Sequence, residues 1–271
     1  MPVTAFTGRE QSVTVWNGTL DINVRILGSG PPLVYLHPAA GLVWDSVLDT
    51  LAKSYTVYAP EHPGTGANHT TINKVDTWWE LLMMYEQLFR ELGLQRPVVV
   101  GQSYGGMMAA DIAAMFPAAV GKLVLLNPIG LWRDDAPIPL VTLTSSTPDK
   151  LPAFLFHDVE GEGARSLFTP LPDAETNIKL GAAMVWALGC TGKFFWPIAD
   201  YGLGRRLHRV TAPTLVIWGR QDALVPAVYA EEFSQRIAGS KVAMIDACGH
   251  IPQLEQPAQT LAHLREFLAG S

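Results

Sequence analysis

The chain of 271 residues has a formal net charge of −6, with 48% hydrophobic and 16% charged residues. This suits one large domain with a sizeable core and excludes the basic stripe of a nucleic-acid-binding surface. Cys190 and Cys248, the two cysteines, fit no metal or redox spacing, no apolar run reaches bilayer length, and "MPVTAFTGREQSVTV" lacks the basic start and apolar run of a signal peptide. The expectation is a cytoplasmic protein with reduced thiols, a monomer or homodimer, with no membrane or nucleic-acid partner.

Near the N-terminus, "SVTVWNG" and "DINVRIL" alternate apolar and polar residues and are joined at Asn17-Gly18, a hairpin signal. "PLVYLH" reads as a short strand, "WDSVLDTLAK" as a helix and "YTVYAPE" as the next strand. In "TWWELLMMYEQLFRELG" the apolar residues Trp78, Leu81, Leu82, Tyr85, Leu88, Phe89 and Leu92 keep helical spacing. Thr77 with Glu80 makes a capping box, and Gly93 suits the C-terminal cap. "PVVVGQ" is a strand, residues 105–110 open a helix, and "KLVLLNP" is a further strand.

A strand–helix rhythm of this kind predicts an α/β fold, a mainly parallel sheet flanked by helices. The rhythm stops near Gly130, where short amphipathic pieces rich in proline and aromatics take over, and resumes at "APTLVIWG". "PAVYAEEFSQRIAG", "KVAMIDA" and "QPAQTLAHLREFLAG" complete it as helix, strand and helix. The predicted organisation is a core of residues 1–130 and 211–271 interrupted by a helical cap at 131–210, far longer than an ordinary loop.

The sharpest chemical signal is "VVVGQSYGG". A buried strand that becomes a helix within a few residues needs a strained turn, and Gly101 and Gly105 leave room where a Cβ would clash. Ser103 is then forced outward at a helix N-terminus, the arrangement of the G-x-S-x-G nucleophile elbow. In open parallel sheets functional groups gather beyond the strand ends. Asp222 follows "TLVIWG" and His250 follows "VAMIDA". Serine is a weak nucleophile until a base takes its proton, neutral histidine can be that base, and a buried carboxylate fixes the imidazole tautomer. The predicted catalytic set is therefore Ser103, Asp222 and His250. Asn127 also follows a strand, but as an amide it cannot be the acid; Asp134 and Asp135 are weaker rivals at the start of the insertion. Backbone N–H groups of Tyr104 and of Ala39, or second Ala40, are expected to hold the oxyanion.

Other motifs are missing. No G-x-x-x-x-G-K-[ST] occurs, the elbow lacks G-x-G-x-x-G, and His62, His69, His157, His208 and His263 show no metal spacing. No cofactor or metal is expected.

With these residues in place, the chain resembles the α/β-hydrolase fold family, serine-nucleophile branch, over nearly its whole length. "LHPAAG", "APEHPGTG", "GQSYGG", "WGRQDALVP" and "GHIPQLEQP" fall where that family carries its oxyanion loop, post-strand turn, nucleophile, acid and histidine. Pro38 departs from the glycine the family often has after the histidine. Serine at 103 separates the chain from the branches with an aspartate nucleophile. Within its own branch it is similar to small esterases, enol-lactonases and hydrolases of ring-cleavage products. The resemblance implies hydrolysis of carboxylic esters or lactones of small apolar molecules. The alternatives are carbon–carbon hydrolysis of ring-cleavage products and a ligand receptor that retains the triad. The carbon–carbon branch commonly has tryptophan after the histidine and asparagine before the nucleophile, where this chain has Ile251 and Gln102. Ile129, Leu131, Val225 and Ile251 are expected to line the pocket floor. Trp186 is expected to reach the pocket from the cap, while Phe194, Phe195 and Trp196 either do the same or only pack the cap onto the core.

Overall fold

The computed structural model describes residues 2–139, 150–196 and 200–270. Its centre is an eight-stranded sheet in the order β1-β2-β4-β3-β5-β6-β7-β8. β1 (Arg9–Val15) and β2 (Leu20–Leu27) form the predicted hairpin, and β2 runs antiparallel to β4 (Thr56–Pro60). The hairpin loop is wider than Asn17-Gly18 alone: Trp16, Asn17 and Gly18 all take positive φ, and the register closes at Val15 opposite Leu20. β3 (Pro32–Leu36), β5 (Val98–Gln102), β6 (Lys122–Leu126), β7 (Thr214–Gly219) and β8 (Lys241–Ile245) extend the sheet in parallel from β4.

The apolar runs of the parallel strands are explained by burial on both faces. Val99, Leu125 and Val216 enter one cluster, under α2 (Trp78–Glu91), α3 (Tyr104–Met115) and α8 (Val228–Arg236). Their neighbours Val100, Leu126 and Ile217 enter the other, under α1 (Ser46–Leu51) and α10 (Pro257–Ala269). The capping box of α2 is made as predicted: Glu80 N–H donates to Thr77 Oγ1 at 3.2 Å, and Thr77 N–H to Glu80 Oε2 at 2.9 Å.

Between β6 and β7 lie α4 (Leu151–Leu155), α5 (Glu162–Phe168), α6 (Ala174–Phe195) and α7 (Leu203–Arg206). The expected cap range ran to residue 210. In the structure Leu203, Leu207 and Val210 are buried in the same cluster as α3, as are Phe194 and Phe195 of α6. A short α9 (Pro252–Glu255) follows β8. Among the described residues no helix is long and apolar enough to cross a membrane.

Candidate active site

Steric exclusion builds the site. A Cβ on Gly101 would lie 2.3 Å from the Gly105 carbonyl oxygen, and one on Gly105 would lie 2.0 Å from that of Leu36. No side chain fits at either position, so β5 can turn directly into α3. The turn forces Ser103 to φ 54 and ψ −115, a conformation that costs a non-glycine residue on the order of 1–3 kcal/mol. It is held from both sides: Ser103 N–H donates to the Leu126 carbonyl at 2.9 Å, and the Ser103 carbonyl accepts from Ile129 N–H at 3.2 Å.

Three side chains from three strand ends meet here. His250 Nε2 lies 2.9 Å from Ser103 Oγ, and His250 Nδ1 lies 2.8 Å from Asp222 Oδ2. All three are buried. Asp222 has its other oxygen fixed by the N–H groups of Leu224 (2.9 Å) and Val225 (2.8 Å). Because Asp222 accepts from Nδ1–H, Nε2 is left free to accept the serine proton. His250 is itself anchored: its N–H donates to the Leu155 carbonyl at 2.8 Å, and its carbonyl accepts from Gln102 Nε2 at 3.0 Å. Asp134 and Asp135 stand apart, in surface contacts with Trp132 and Arg133.

Tyr104 is the first residue of α3, whose N–H has no acceptor within the helix. The loop after β3 brings Ala39 to the same sheet edge, since Leu36 pairs with Gly101. Pro38 has no N–H, so Ala39 carries the first donor beyond His37. Ala40 is exposed.

The expected pocket residues divide. Ile129, Leu131 and Val225 are buried in the main core, whereas Ile251 packs with Phe156, Ala164 and Leu254 beneath the insertion. Trp186 is exposed, and its indole N–H donates to the Gly64 carbonyl at 2.9 Å, which pins α6 to the loop after β4. Phe194 and Phe195 are buried in the main core, with the Phe195 ring tilted against that of Tyr104 at a centroid distance of 5.3 Å, and Trp196 is exposed.

Sequence reading missed a second set of contacts. Asn127 Nδ2 donates to Asp222 Oδ2 at 2.6 Å, and Gln102 braces His250. His37 and His62 stack with ring centroids 3.7 Å apart and are fully enclosed. The search of strand ends that found Ser103 applies equally to His37, one residue past β3, and His62, two past β4. A screen for metal spacing passes over both. Among the described residues no group of three or more His, Cys, Asp or Glu is arranged to hold a metal ion.

Residues 31–257 match the family described as alpha/beta hydrolase fold. The chain belongs to that family. It is 28% identical over 251 residues to the pimeloyl-[acyl-carrier protein] methyl ester esterase of Nitrosomonas europaea, covering 88% of this chain and 96% of that one. Among solved structures, a membrane phospholipase A superposes with a TM-score of 0.79 at 24% identity, over 97% of this chain and 86% of that one. A meta-cleavage product hydrolase from Pseudomonas fluorescens IP01 superposes at 0.74 and 20% identity, over 96% and 97%. At these identities the two superpositions establish a shared α/β-hydrolase architecture.

Proposed function

We propose that this α/β hydrolase cleaves carboxylic esters or lactones of small apolar molecules through an acyl-enzyme on Ser103. The hydrogen-bonded line Ser103–His250–Asp222 carries the reading. His250 Nε2 takes the proton as Ser103 Oγ attacks the carbonyl carbon. Asp222 stabilises the imidazolium, and the N–H groups of Tyr104 and Ala39 receive the oxyanion. Collapse of the tetrahedral species expels the alcohol, which takes the proton from His250. Water, deprotonated by the same histidine, then releases the acid and restores Ser103.

Two features favour an ester over a ring-cleavage product. Ile251 offers no hydrogen bond beside His250. Three cations of the insertion that could bind a dienoate carboxylate are engaged elsewhere: Arg133 with Asp135 and Glu232, Lys193 with the Ile72 and Val75 carbonyls, and Arg206 with Asp111. The ester named for the Nitrosomonas relative agrees with this choice.

A fluorophosphonate probe with peptide mapping tests the nucleophile, and kcat/KM for a short aryl ester against a dienoate ring-cleavage product tests the bond. Label on Ser103 and a preference for the ester are expected. Label elsewhere, or full activity in Ser103→Ala, would overturn the mechanism, and a clear preference for the dienoate would overturn the substrate class.

A further inference from the structure

The histidine pair behind the β3 loop is bonded at every ring nitrogen, and the donors settle both tautomers. His62 backbone N–H, which can only donate, lies 3.0 Å from His37 Nε2. That nitrogen is therefore bare, and the His37 proton sits on Nδ1, which donates to the Pro38 carbonyl at 2.7 Å. The His37 carbonyl, which can only accept, lies 2.8 Å from His62 Nε2. That nitrogen carries the proton, so His62 Nδ1 accepts from the Tyr85 hydroxyl.

The Pro38 carbonyl and the Ala39 N–H belong to one peptide group. In a planar trans peptide the two point in opposite directions. When His37 draws the Pro38 oxygen toward the buried pair, the Ala39 N–H is turned the other way, out of the pair. The preceding peptide is fixed by His62 through the His37 carbonyl, and the following one is met by Thr191 Oγ1 of α6, 3.2 Å from the Ala39 carbonyl. Gly41 N–H also reaches the Pro38 oxygen, at 3.3 Å.

We propose that His37, locked by His62 and Tyr85, is a positioning residue that aims the Ala39 N–H at the oxyanion. The unit touches no reacting atom. It acts by holding one peptide plane, where small rotations matter because an oxyanion donor works only when it is already in place. Both rings serve as acceptors and so must be neutral. Burial holds His37 well below its ordinary range and brings His62 down to about 4, which meets that need at neutral pH.

This inference rests on the ester-hydrolase reading. The test measures kcat and KM for a short aryl ester, with active sites counted by fluorophosphonate end-point titration. His37→Phe fills the space but cannot donate. Its kcat per titrated site is expected to fall roughly 10- to 100-fold with KM little changed, less than the roughly 10²- to 10³-fold cost of removing an oxyanion donor outright, because the Ala39 N–H is misaimed and not deleted. His37→Asn places an amide N–H near the position of Nδ1 and should recover most of that loss. Tyr85→Phe removes a single hydroxyl and should cost a smaller, several-fold drop in kcat. A kcat per site in His37→Phe like that of the wild type, or equal losses in His37→Phe and His37→Asn, overturns the proposal while leaving the ester reading intact. If His37→Phe does not fold, Tyr85→Phe decides: an unchanged kcat per site overturns it. Wild-type protein that neither turns over aryl esters nor labels at Ser103 overturns the ester reading and this inference together.

Discussion

Asn127 places its side-chain amide 2.6 Å from Asp222, on the same carboxylate oxygen that meets His250 Nδ1 at 2.8 Å. With the Leu224 and Val225 N–H groups on the other oxygen, the carboxylate is held against rotation. The roles of the two residues then differ in kind. Asp222→Asn should fold yet lose on the order of 10⁴-fold in kcat, because an amide at 222 favours the wrong imidazole tautomer. Asn127→Leu removes one of the donors and should lose only about tenfold. Steady-state kinetics on both variants check the ranking. An Asn127→Leu loss as large as that of Asp222→Asn would mean that the amide, and not the carboxylate alone, sets the tautomer.

Gly105 touches the end of β3, where the loop that carries Ala39 begins. A methyl group there meets the Leu36 and His37 carbonyl oxygens at 2.0 and 2.6 Å, both backbone atoms that cannot step aside. Gly105→Ala should destabilise the fold by about 3 kcal/mol or more, at or beyond the upper end of ordinary overpacking. Urea unfolding measures it, and a loss below about 1 kcal/mol would show that β3 and α3 can separate locally.

Stability should fall on mild acidification, and His62 should carry an identifiable part of the fall. Its folded pKa is brought down from 6.5 to about 4 by burial. As pH drops below 6.5 the unfolded chain takes up a proton that the folded chain refuses until about pH 4, so folding weakens by about 1.4 kcal/mol per pH unit. His37 acts in the same direction. Asp45 opposes both. Burial raises it from 3.8 to about 7, so the folded chain holds its proton across that window and gains stability as pH falls. His62→Gln keeps a donor for the His37 carbonyl but cannot titrate. Its denaturant midpoint should change less between pH 7 and 5.5 than that of the wild type, and identical pH dependences would count against a buried neutral His62.

An apolar acyl site should reveal itself in a homologous ester series. Each buried methylene contributes roughly 0.8 kcal/mol, so kcat/KM should rise roughly fourfold per added methylene until the pocket is full. Acetate as the best substrate in a matched aryl-ester series would show that no such site exists.

How much could be read beforehand follows the range of the interactions. β5, α2 and the elbow were legible because their determinants are local: β-branched runs, the Thr77–Glu80 box and glycines with no room for a Cβ. Ser103, Asp222 and His250 could be named because each follows its own strand in a parallel sheet, where strand ends share one edge. The Asn127–Asp222 and Gln102–His250 bonds join residues far apart in the chain, and no spacing announces them. The insertion was hardest to read. Its apolar residues are divided among contacts with α3, a small cluster around Ile251 and the surface, so helical periodicity marked its helices without saying what each one covers. Trp186 shows the difficulty: a large aromatic suggests a binding surface, and here its N–H clamps α6 to Gly64.

The backbone angles of Ser103 bear on how such a chain ages once selection for turnover lapses. At φ 54 and ψ −115 only glycine is at ease, and the nucleophilic role proposed for the hydroxyl accounts for a serine there. Ser103→Ala would discard the hydroxyl and keep the distortion, whereas Ser103→Gly would discard both. Glycine adds freedom to the unfolded chain, which offsets part of the relief, so a net gain of about 1 kcal/mol and a melting temperature roughly 2–4 °C higher are expected. Calorimetry on the two variants would measure the difference, and a glycine variant no more stable than the alanine one would mean that the bonds to Leu126 and Ile129 have absorbed the distortion. A gene copy under no selection for turnover would therefore gain stability through the very substitution that removes the proposed nucleophile, and a glycine at this turn in a descendant sequence would be the mark of retirement rather than of decay.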